Sequence, residues 1–209
     1  MSTYAELQVT SNYSFFRGAS HPDELVLQAA NLGYSAIAIT DRNSLAGIVR
    51  AHVAAREYRI KLIIGCRLDF KDYPSLLCYP TNRSAYGRLS QLLTLGKRRA
   101  LKGSCHLFLD DIIKEGIFAK GKDQIIITTP PNRKYNQSFV KDLNLLKHNI
   151  NSSIYIAVKK GYNGNDDRIL KQLTQVAEKL SLPIVAVNDV HSHVSERRVL
   201  QDVLTCIRK

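Results

Sequence analysis

The chain has 209 residues, of which 44% are hydrophobic and 23% charged, a composition typical of a folded globular chain with one large or two small domains. The net charge of +12 favours acidic partners and makes nucleic acid the first candidate. No apolar run reaches the ~20 residues that span a membrane, residues 1–30 lack the layout of a secretory signal, and the four cysteines form no C-x-x-C pair. We therefore expect neither a membrane or secreted protein nor a disulfide or zinc framework.

Short apolar segments alternate with amphipathic segments along the chain. In chain order they predict a strand at 7–9, a helix at 21–33, a strand at 36–40, a helix at 45–57, strands at 62–65 and 76–79, a helix at 84–95, strands at 124–129 and 154–158, a helix at 166–180, a strand at 184–187 and a helix at 201–208. Residues 96–103 predict a basic turn, and Pro130-Pro131-Asn132 indicates a loop. Residues 110–150 are otherwise poorly patterned.

Seven apolar strands separated by helices predict an α/β fold, either a mostly parallel sheet or a (β/α) barrel. Functional residues in such folds lie at the carboxyl ends of the strands. That rule selects Asp41, Arg67, Lys159, Lys160, Asp189 and His191.

The segment from Ile184 to His191 carries the most specific chemistry. A buried strand ends there in Asn188, Asp189, one spacer and His191. Aspartate and histidine with one spacer can reach the same metal ion from an extended chain. Ordinary polar residues at a strand end give the same pattern, and Asp41 is equally compatible with a helix N-cap.

Three segments together resemble the PHP (polymerase and histidinol phosphatase) domain, and more narrowly the N-terminal PHP domain of the C-family bacterial DNA polymerases. They start at Tyr4-Ala-Glu-Leu-Gln-Val-Thr, at Ala38-Ile-Thr-Asp-Arg-Asn-Ser and at Val187-Asn-Asp-Val-His-Ser-His. The Tyr-Ala-Glu-Leu start and residues 92–99 and 196–208 indicate the error-prone, lesion-bypass branch. The resemblance covers essentially the whole chain, so residues 1–209 are expected to form one PHP domain, a distorted (β/α) barrel of about seven mostly parallel strands.

The resemblance implies a site for up to three divalent metals, often zinc or manganese, that hydrolyses phosphoesters. Only Asp41, Asp189 and His191 match the ligand positions of the family. The residues that replace the other ligands are Gln8, Thr10, Arg17, Arg42, Arg67 and Lys160.

These replacements are neutral or cationic, which decides the prediction for the site. Two unit charges ~4 Å apart interact by ~4 kcal/mol at an effective dielectric constant of 20. We therefore expect the cations to pair with Asp41 and Asp189, leaving remnant ligands, no catalytic residue and no cofactor, with one zinc or manganese ion as the alternative.

The leading hypothesis is a non-catalytic scaffold of an error-prone DNA polymerase in replication and lesion-bypass repair. The palm carboxylates of that family lie outside residues 1–209, so we expect that the chain cannot polymerise alone and is an excised domain or a truncated gene product. The expected partners are the rest of the polymerase, DNA through that assembly, and other replication or lesion-bypass proteins. The expected location is the bacterial cytoplasm, without a membrane partner.

Two alternatives remain open. The first is a metal-dependent phosphoesterase or 3′–5′ exonuclease that uses Asp41, Asp189 and His191. The second is a basic nucleic-acid-binding module that contacts phosphates, although a solvated loop fits the same residues: Lys97, Arg98, Arg99 and Lys102. Four aromatic residues near the first strand fit either a stacking platform for single strands or the core: Tyr4, Tyr13, Phe15 and Phe16.

Overall fold

The computed structural model describes residues 4–113, 118, 123–130, 137–150, 152–162 and 164–208. In chain order its elements are β1 (Ala5–Glu6), α1 (Pro22–Asn31), β2 (Ala36–Ile39), α2 (Ile48–Glu57), β3 (Lys61–Ile64), β4 (Cys66–Leu68), β5 (Leu76–Pro80), α3 (Arg83–Arg99), α4 (Leu109–Ile113), β6 (Gln124–Thr128), α5 (Gln137–Asn149), β7 (Ser153–Val158), α6 (Asp166–Leu180), β8 (Ile184–Ala186), a 3₁₀ turn (Ser195–Arg197) and α7 (Arg198–Arg208). The chain divides into a first unit, Met1–Arg67 with Val187–Lys209, and a second unit, Leu68–Ala186.

The first unit contains a parallel three-stranded sheet in the order β1-β2-β3, in which Ile37 pairs with Glu6 on one side and with Leu62 on the other. Helices α1 and α2 supply its apolar core together with β2, and the residues of that core include Val9, Leu25, Val26, Ile37, Ile39 and Ala51. Helix α1 starts where the sequence predicts, because Pro22 suits a first turn and Glu24 accepts a hydrogen bond from the backbone amide of His21 at 2.8 Å.

The second sheet runs in the order β4-β5-β6-β7-β8, and the boundary between the units falls within β4. Strands β5 and β6 are antiparallel, whereas β6, β7 and β8 are parallel. The predicted fold class, α/β with mostly parallel strands, is therefore confirmed. None of the helices within the described ranges is long and apolar enough to cross a membrane.

Several predicted boundaries are wrong. The described residues contain eight strands rather than seven, because β4 was not predicted. The predicted strand at 7–9 contributes an isolated bridge between Val9 and Val190, and β1 lies just before it. Helix α2 begins at Ile48, three residues later than predicted, and α7 begins at Arg198, three residues earlier. Residues 110–150 contain most of α4 and all of α5, and Pro131 and Asn132 lie outside the described residues.

The predicted basic turn at 96–103 is wrong at its start, because α3 continues through Gly96 to Arg99. Gly96 is needed for packing rather than for a turn. A Cβ atom at this position would lie 2.5 Å from Leu107 Cδ2 and 2.8 Å from Cys105 Sγ. The segment after α3 therefore packs directly against the helix backbone.

We expect Gly96→Ala to lower the free energy of unfolding, because overpacking costs about 1–3 kcal/mol and exceeds the gain of about 0.5–1 kcal/mol from helix propensity. Gly87→Ala is the matched control in the same helix, since Gly87 is exposed and has no atom within 4 Å of an added Cβ. That control should be neutral or stabilising. Urea unfolding of both variants measures the difference, and equal stabilities would contradict the packing role of Gly96.

Candidate functional site

The candidate site of the first unit forms where residues 187–193 run beside residues 8–10. The backbone amide of Val190 donates to the carbonyl oxygen of Gln8 at 2.9 Å, and the amide of Thr10 donates to the carbonyl of Val190 at 2.8 Å. This pairing brings Asp189 and His191 next to the segment that carries the first-strand ligands in the resembled family. The side-chain amide of Asn188, the residue before Asp189, donates a hydrogen bond to the buried carboxylate of Glu6 at 2.8 Å.

Asp41 follows β2 and is almost fully buried, with 1% of its surface exposed. Its Oδ1 atom accepts hydrogen bonds from the amide of Ser11 at 2.9 Å and the hydroxyl of Ser14 at 2.7 Å. Its Oδ2 atom accepts from the hydroxyl of Ser11 at 2.7 Å. The sequence predicted cationic partners for this carboxylate. The structure instead surrounds it with neutral donors.

The residues next to Asp41 explain its position. Residues alternate sides in extended chain, so Asp41 enters the core while Arg42, the bridge partner of Arg67, lies on the half-exposed side. The N-cap of α2 is Gly47, so Asp41 is not the N-cap that its sequence position allowed. A Cβ atom at Gly47 would lie 2.8 Å from Asp41 Oδ2, and only glycine leaves room for the carboxylate.

Burial raises the pKa of Asp41 above its ordinary value of 3.8, and the hydrogen bonds from Ser11 and Ser14 offset part of that rise. The folded protein therefore binds this proton more tightly than the unfolded chain does. The contribution of Asp41 to stability is largest below pH 3.8 and declines as the pH rises through the folded pKa.

Asp189 has a different environment. Gln8 Nε2 donates to its Oδ1 atom at 2.7 Å, and Arg67 Nη1 and His191 Nε2 each lie 3.5 Å from the same oxygen. The backbone of Asp189 is left-handed, with φ of +58°, a conformation that aspartate tolerates better than most residues. The predicted pairing of a cation with this carboxylate is therefore present, through Arg67. On the far side of the imidazole, the Nδ1 atom of His191 is buried without a hydrogen-bond partner.

The described residues form no ready-made set of ligands for a divalent metal. Among the residues that the structure describes, no group of three or more His, Cys, Asp or Glu side chains is placed to hold an ion, and Asp41, Asp189 and His191 are no exception. Gln8 presents an amide N–H, a donor rather than a ligand, to Asp189. What the cluster does chemically is fix the ends of three chain segments by hydrogen bonds.

A second polar contact was not predicted. The Ser20 hydroxyl and His193 Nδ1 are 2.7 Å apart, and the same hydroxyl accepts the amide of His193 at 3.0 Å. Ser20 is buried. This pair joins the start of α1 to the segment after Asp189. Because the two residues are 173 positions apart, no local pattern could have connected them.

The predicted nucleic-acid-binding residues lie at the end of α3 and, for Lys102, just after it, in the second unit. Arg99 contacts both carboxylate oxygens of the buried Asp111 at 2.7 Å and lies 5.9 Å from the ring centre of Phe108. Arg99 therefore has a structural role. Lys97, Arg98 and Lys102 are exposed, and their contact with phosphates stays a prediction. Lys160, also exposed, belongs to this unit.

The sequence did not predict Ser11 and Ser14, whose hydroxyls donate hydrogen bonds to the Asp41 carboxylate. Ser14 Oγ also accepts the backbone amide of Arg42 at 2.9 Å, so one hydroxyl bridges two segments. The available signal was weak: two serines spaced by three residues in a polar segment after the first strand. Such spacing is common in turns and becomes informative only once Asp41 is known to lie nearby.

We expect Ser14→Ala to raise the pKa of Asp41 further and to lower the free energy of unfolding by about 1–3 kcal/mol, because a buried acceptor and a backbone amide lose their shared partner. Carboxyl ¹³C NMR titration and urea unfolding measure the two effects. Ser44→Ala is the control, since Ser44 accepts only a local amide on the exposed surface. An Asp41 pKa below 3.8 in the parent protein would contradict the assignment.

Comparison with proteins of known sequence gives a consistent family. A model of the PHP domain matches residues 6–181. The error-prone DNA polymerase of Caulobacter vibrioides is 47% identical over 207 residues, which are 99% of this chain and 19% of that protein. Error-prone DNA polymerase 1 of Agrobacterium fabrum is 45% identical over 98% of this chain and 18% of its own length. The chain thus spans about a fifth of the length of the curated relatives it matches.

Solved structures share the fold at low sequence identity. An amidohydrolase from Chromobacterium violaceum, with bound sulfate and no metal, gives a TM-score of 0.67 at 16% identity over 91% of this chain and 88% of that one. A Bifidobacterium adolescentis protein assigned as a metal-dependent phosphoesterase gives 0.60 at 14% identity over the same shares. The lesion-specific endonuclease PfuEndoQ from Pyrococcus furiosus gives 0.62 at 14% identity over 94% of this chain and 50% of that one.

These likenesses agree with the α/β fold of the described residues. The family model covers far more than half of the chain. The chain belongs to the PHP domain family.

Proposed function

We propose that this chain is the PHP module of an error-prone DNA polymerase and supports that enzyme without hydrolysing a substrate itself. Relatives named error-prone DNA polymerase match 98–99% of the chain at 38–47% identity, which supports the first part. The module would then contact the rest of the polymerase, act on DNA through that assembly and meet other lesion-bypass proteins in the bacterial cytoplasm.

One observation carries the non-catalytic role: the carboxylates at the metal-ligand positions already accept hydrogen bonds from the protein. Gln8 donates to Asp189 at 2.7 Å, and the two serine hydroxyls donate to Asp41 at the same distance. A metal would have to displace these donors and leave them buried without partners, which costs about 1–3 kcal/mol for each.

Arg67 adds an electrostatic argument. Its guanidinium lies 3.5 Å from Asp189 Oδ1, so an ion held by that carboxylate would share the oxygen with a cation. A divalent ion ~4 Å from a guanidinium is repelled by roughly 8 kcal/mol at an effective dielectric constant of 20. The repulsion is comparable to the gain from a good ligand, so Arg67 disfavours metal at this carboxylate.

The alternative is a metal-dependent phosphoesterase or 3′–5′ exonuclease. It is supported by the fold shared with a protein assigned to the first activity and by the presence of Asp41, Asp189 and His191. A bound metal would supply an activated water and a clamp on phosphate oxygens. The chain would have to free Asp189 from Gln8 and Arg67 before this residue could act as a ligand.

Metal analysis separates the two functions. After incubation with zinc or manganese and desalting, we expect the untagged protein to hold far less than one ion per chain and not to hydrolyse p-nitrophenyl phosphate. The triple variant Gln8→His, Thr10→His and Arg67→Glu should retain more metal than the parent, because it replaces two neutral groups and one cation by ligands. A full equivalent of metal in the parent, lost together with phosphoesterase activity in Asp189→Asn, would establish the alternative.

The supporting role has its own test in the polymerase of Caulobacter vibrioides. We expect a chimera that carries this chain in place of its matching 207-residue segment to extend a DNA primer, because the module supplies a folded surface rather than catalytic groups. Deleting the segment should abolish or strongly reduce extension. A folded chimera without activity, or a deletion with full activity, would argue against a supporting role.

A further inference from the structure

The loop of residues 11–20, named here the aromatic loop, presents two neighbouring aromatic side chains to solvent. Phe15 is 79% exposed and Phe16 is 49% exposed. Tyr4 instead packs edge-on against Tyr34, with ring centres 4.8 Å apart. Of the aromatic residues near the first strand, Phe15 and Phe16 are therefore the most exposed.

The aromatic loop is held in place despite its exposed tip. Its base is closed by the amide of Asn12, which donates to the carbonyl of Ser20 at 2.9 Å, and the amide of Ala19 donates to the carbonyl of His191 at 2.8 Å. The hydroxyls of Ser11 and Ser14 in this loop donate hydrogen bonds to Asp41, as described above. A Cβ atom at Gly18 would overlap the carbonyl oxygen of Ser11, so the loop closes tightly on itself. A pre-ordered loop loses little conformational entropy on binding.

Phe16 has an unusual backbone for a bulky residue. Its φ of +58° lies in the left-handed region, which a large aromatic side chain rarely adopts. Its carbonyl oxygen accepts a hydrogen bond from Arg208 Nη1 at 3.2 Å. Strain of this kind persists only where surrounding contacts impose it, and it is concentrated at functional positions.

Arg208 brings a positive charge to the same tip. This arginine ends α7 and is exposed, and its guanidinium carries further N–H groups besides the one that contacts Phe16. Arg17 follows Phe16 in the sequence, and the whole chain has a net charge of +12. The tip therefore combines two exposed aromatic side chains with the guanidinium of Arg208.

We propose that the tip of the aromatic loop binds single-stranded nucleic acid, with bases stacked on Phe15 and Phe16 and a phosphate bound by Arg208. Aromatic stacking accepts any base because each base has a π-face, and guanidinium groups bind phosphate oxygens. An apolar protein surface would match the rings but not the charge. The proposal depends neither on metal at the Asp41 and Asp189 positions nor on attachment to a polymerase.

The test is fluorescence anisotropy of the full chain with a labelled oligothymidylate of about 12 nucleotides. The double variant Phe15→Ala and Phe16→Gly removes both rings, and glycine adopts the left-handed conformation of residue 16 without strain. We expect its dissociation constant to rise by about tenfold or more, with an unchanged salt dependence, because stacking releases no counterions. A duplex of the same length should bind the parent more weakly than the single strand, since its bases are already stacked.

Arg208→Gln separates the charge from the rings. It should reduce the slope of log K against log salt by about 0.7, the value for one phosphate contact on a single strand. Two variants are matched controls. Tyr162→Ala, at an aromatic residue that is 86% exposed in the second unit, should bind as the parent does. Arg56→Gln, at an exposed arginine at the end of α2, should lose only the general effect of one charge.

Three results would overturn the proposal. The double variant could bind oligothymidylate as tightly as the parent, the two controls could weaken binding as much as the loop variants, or the parent could fail to bind at about 50 mM salt. Light scattering of the same proteins measures self-association and so tests whether the tip binds a protein surface instead. If the double variant changes self-association but not oligonucleotide affinity, the tip is a protein contact and not a nucleic-acid site.

Discussion

The hydrogen bonds between Asp41 and the loop that follows the first strand determine the organisation of the first unit. They join residues about 30 positions apart, fix the end of β2 and close the aromatic loop. Ser14 also accepts the backbone amide of Arg42, which ties the residue after Asp41 to the same loop. Without this carboxylate the two serine hydroxyls would be buried without an acceptor, and the loop would lose its anchor.

The two acidic positions illustrate how burial selects the partner of a carboxylate. Asp41 is almost completely buried, and a guanidinium at that depth would add its own desolvation cost. Hydroxyl and amide donors stabilise the carboxylate without burying a second charge. The side chain of Asp189 keeps 15% of its surface exposed, and there an amide, a guanidinium and an imidazole surround one oxygen. The two aspartates thus belong to two different polar clusters.

The sequence predicted the elements whose signals are local. Helix α6 was predicted at its observed bounds, because apolar residues recur at helical spacing after Asp166, and β2 was predicted from its uninterrupted apolar run. Helix α5 also had a local signal, since Phe139, Leu143 and Leu146 lie on one face, but it was overlooked among poorly patterned neighbours. Gly96 was misread as a helix end because its role depends on Leu107, which tertiary packing brings close. The serines at Asp41 and the pairing of Arg99 with Asp111 are equally non-local.

The internal bonding of Asp41 has a physiological consequence. A domain that relies on divalent ions for its shape softens when chelators or metal-poor growth remove them. Here the anchor of the aromatic loop includes two serine side chains and one backbone amide of the same chain. In the proposed metal-free site, this geometry would persist through fluctuations in the cellular supply of zinc and manganese.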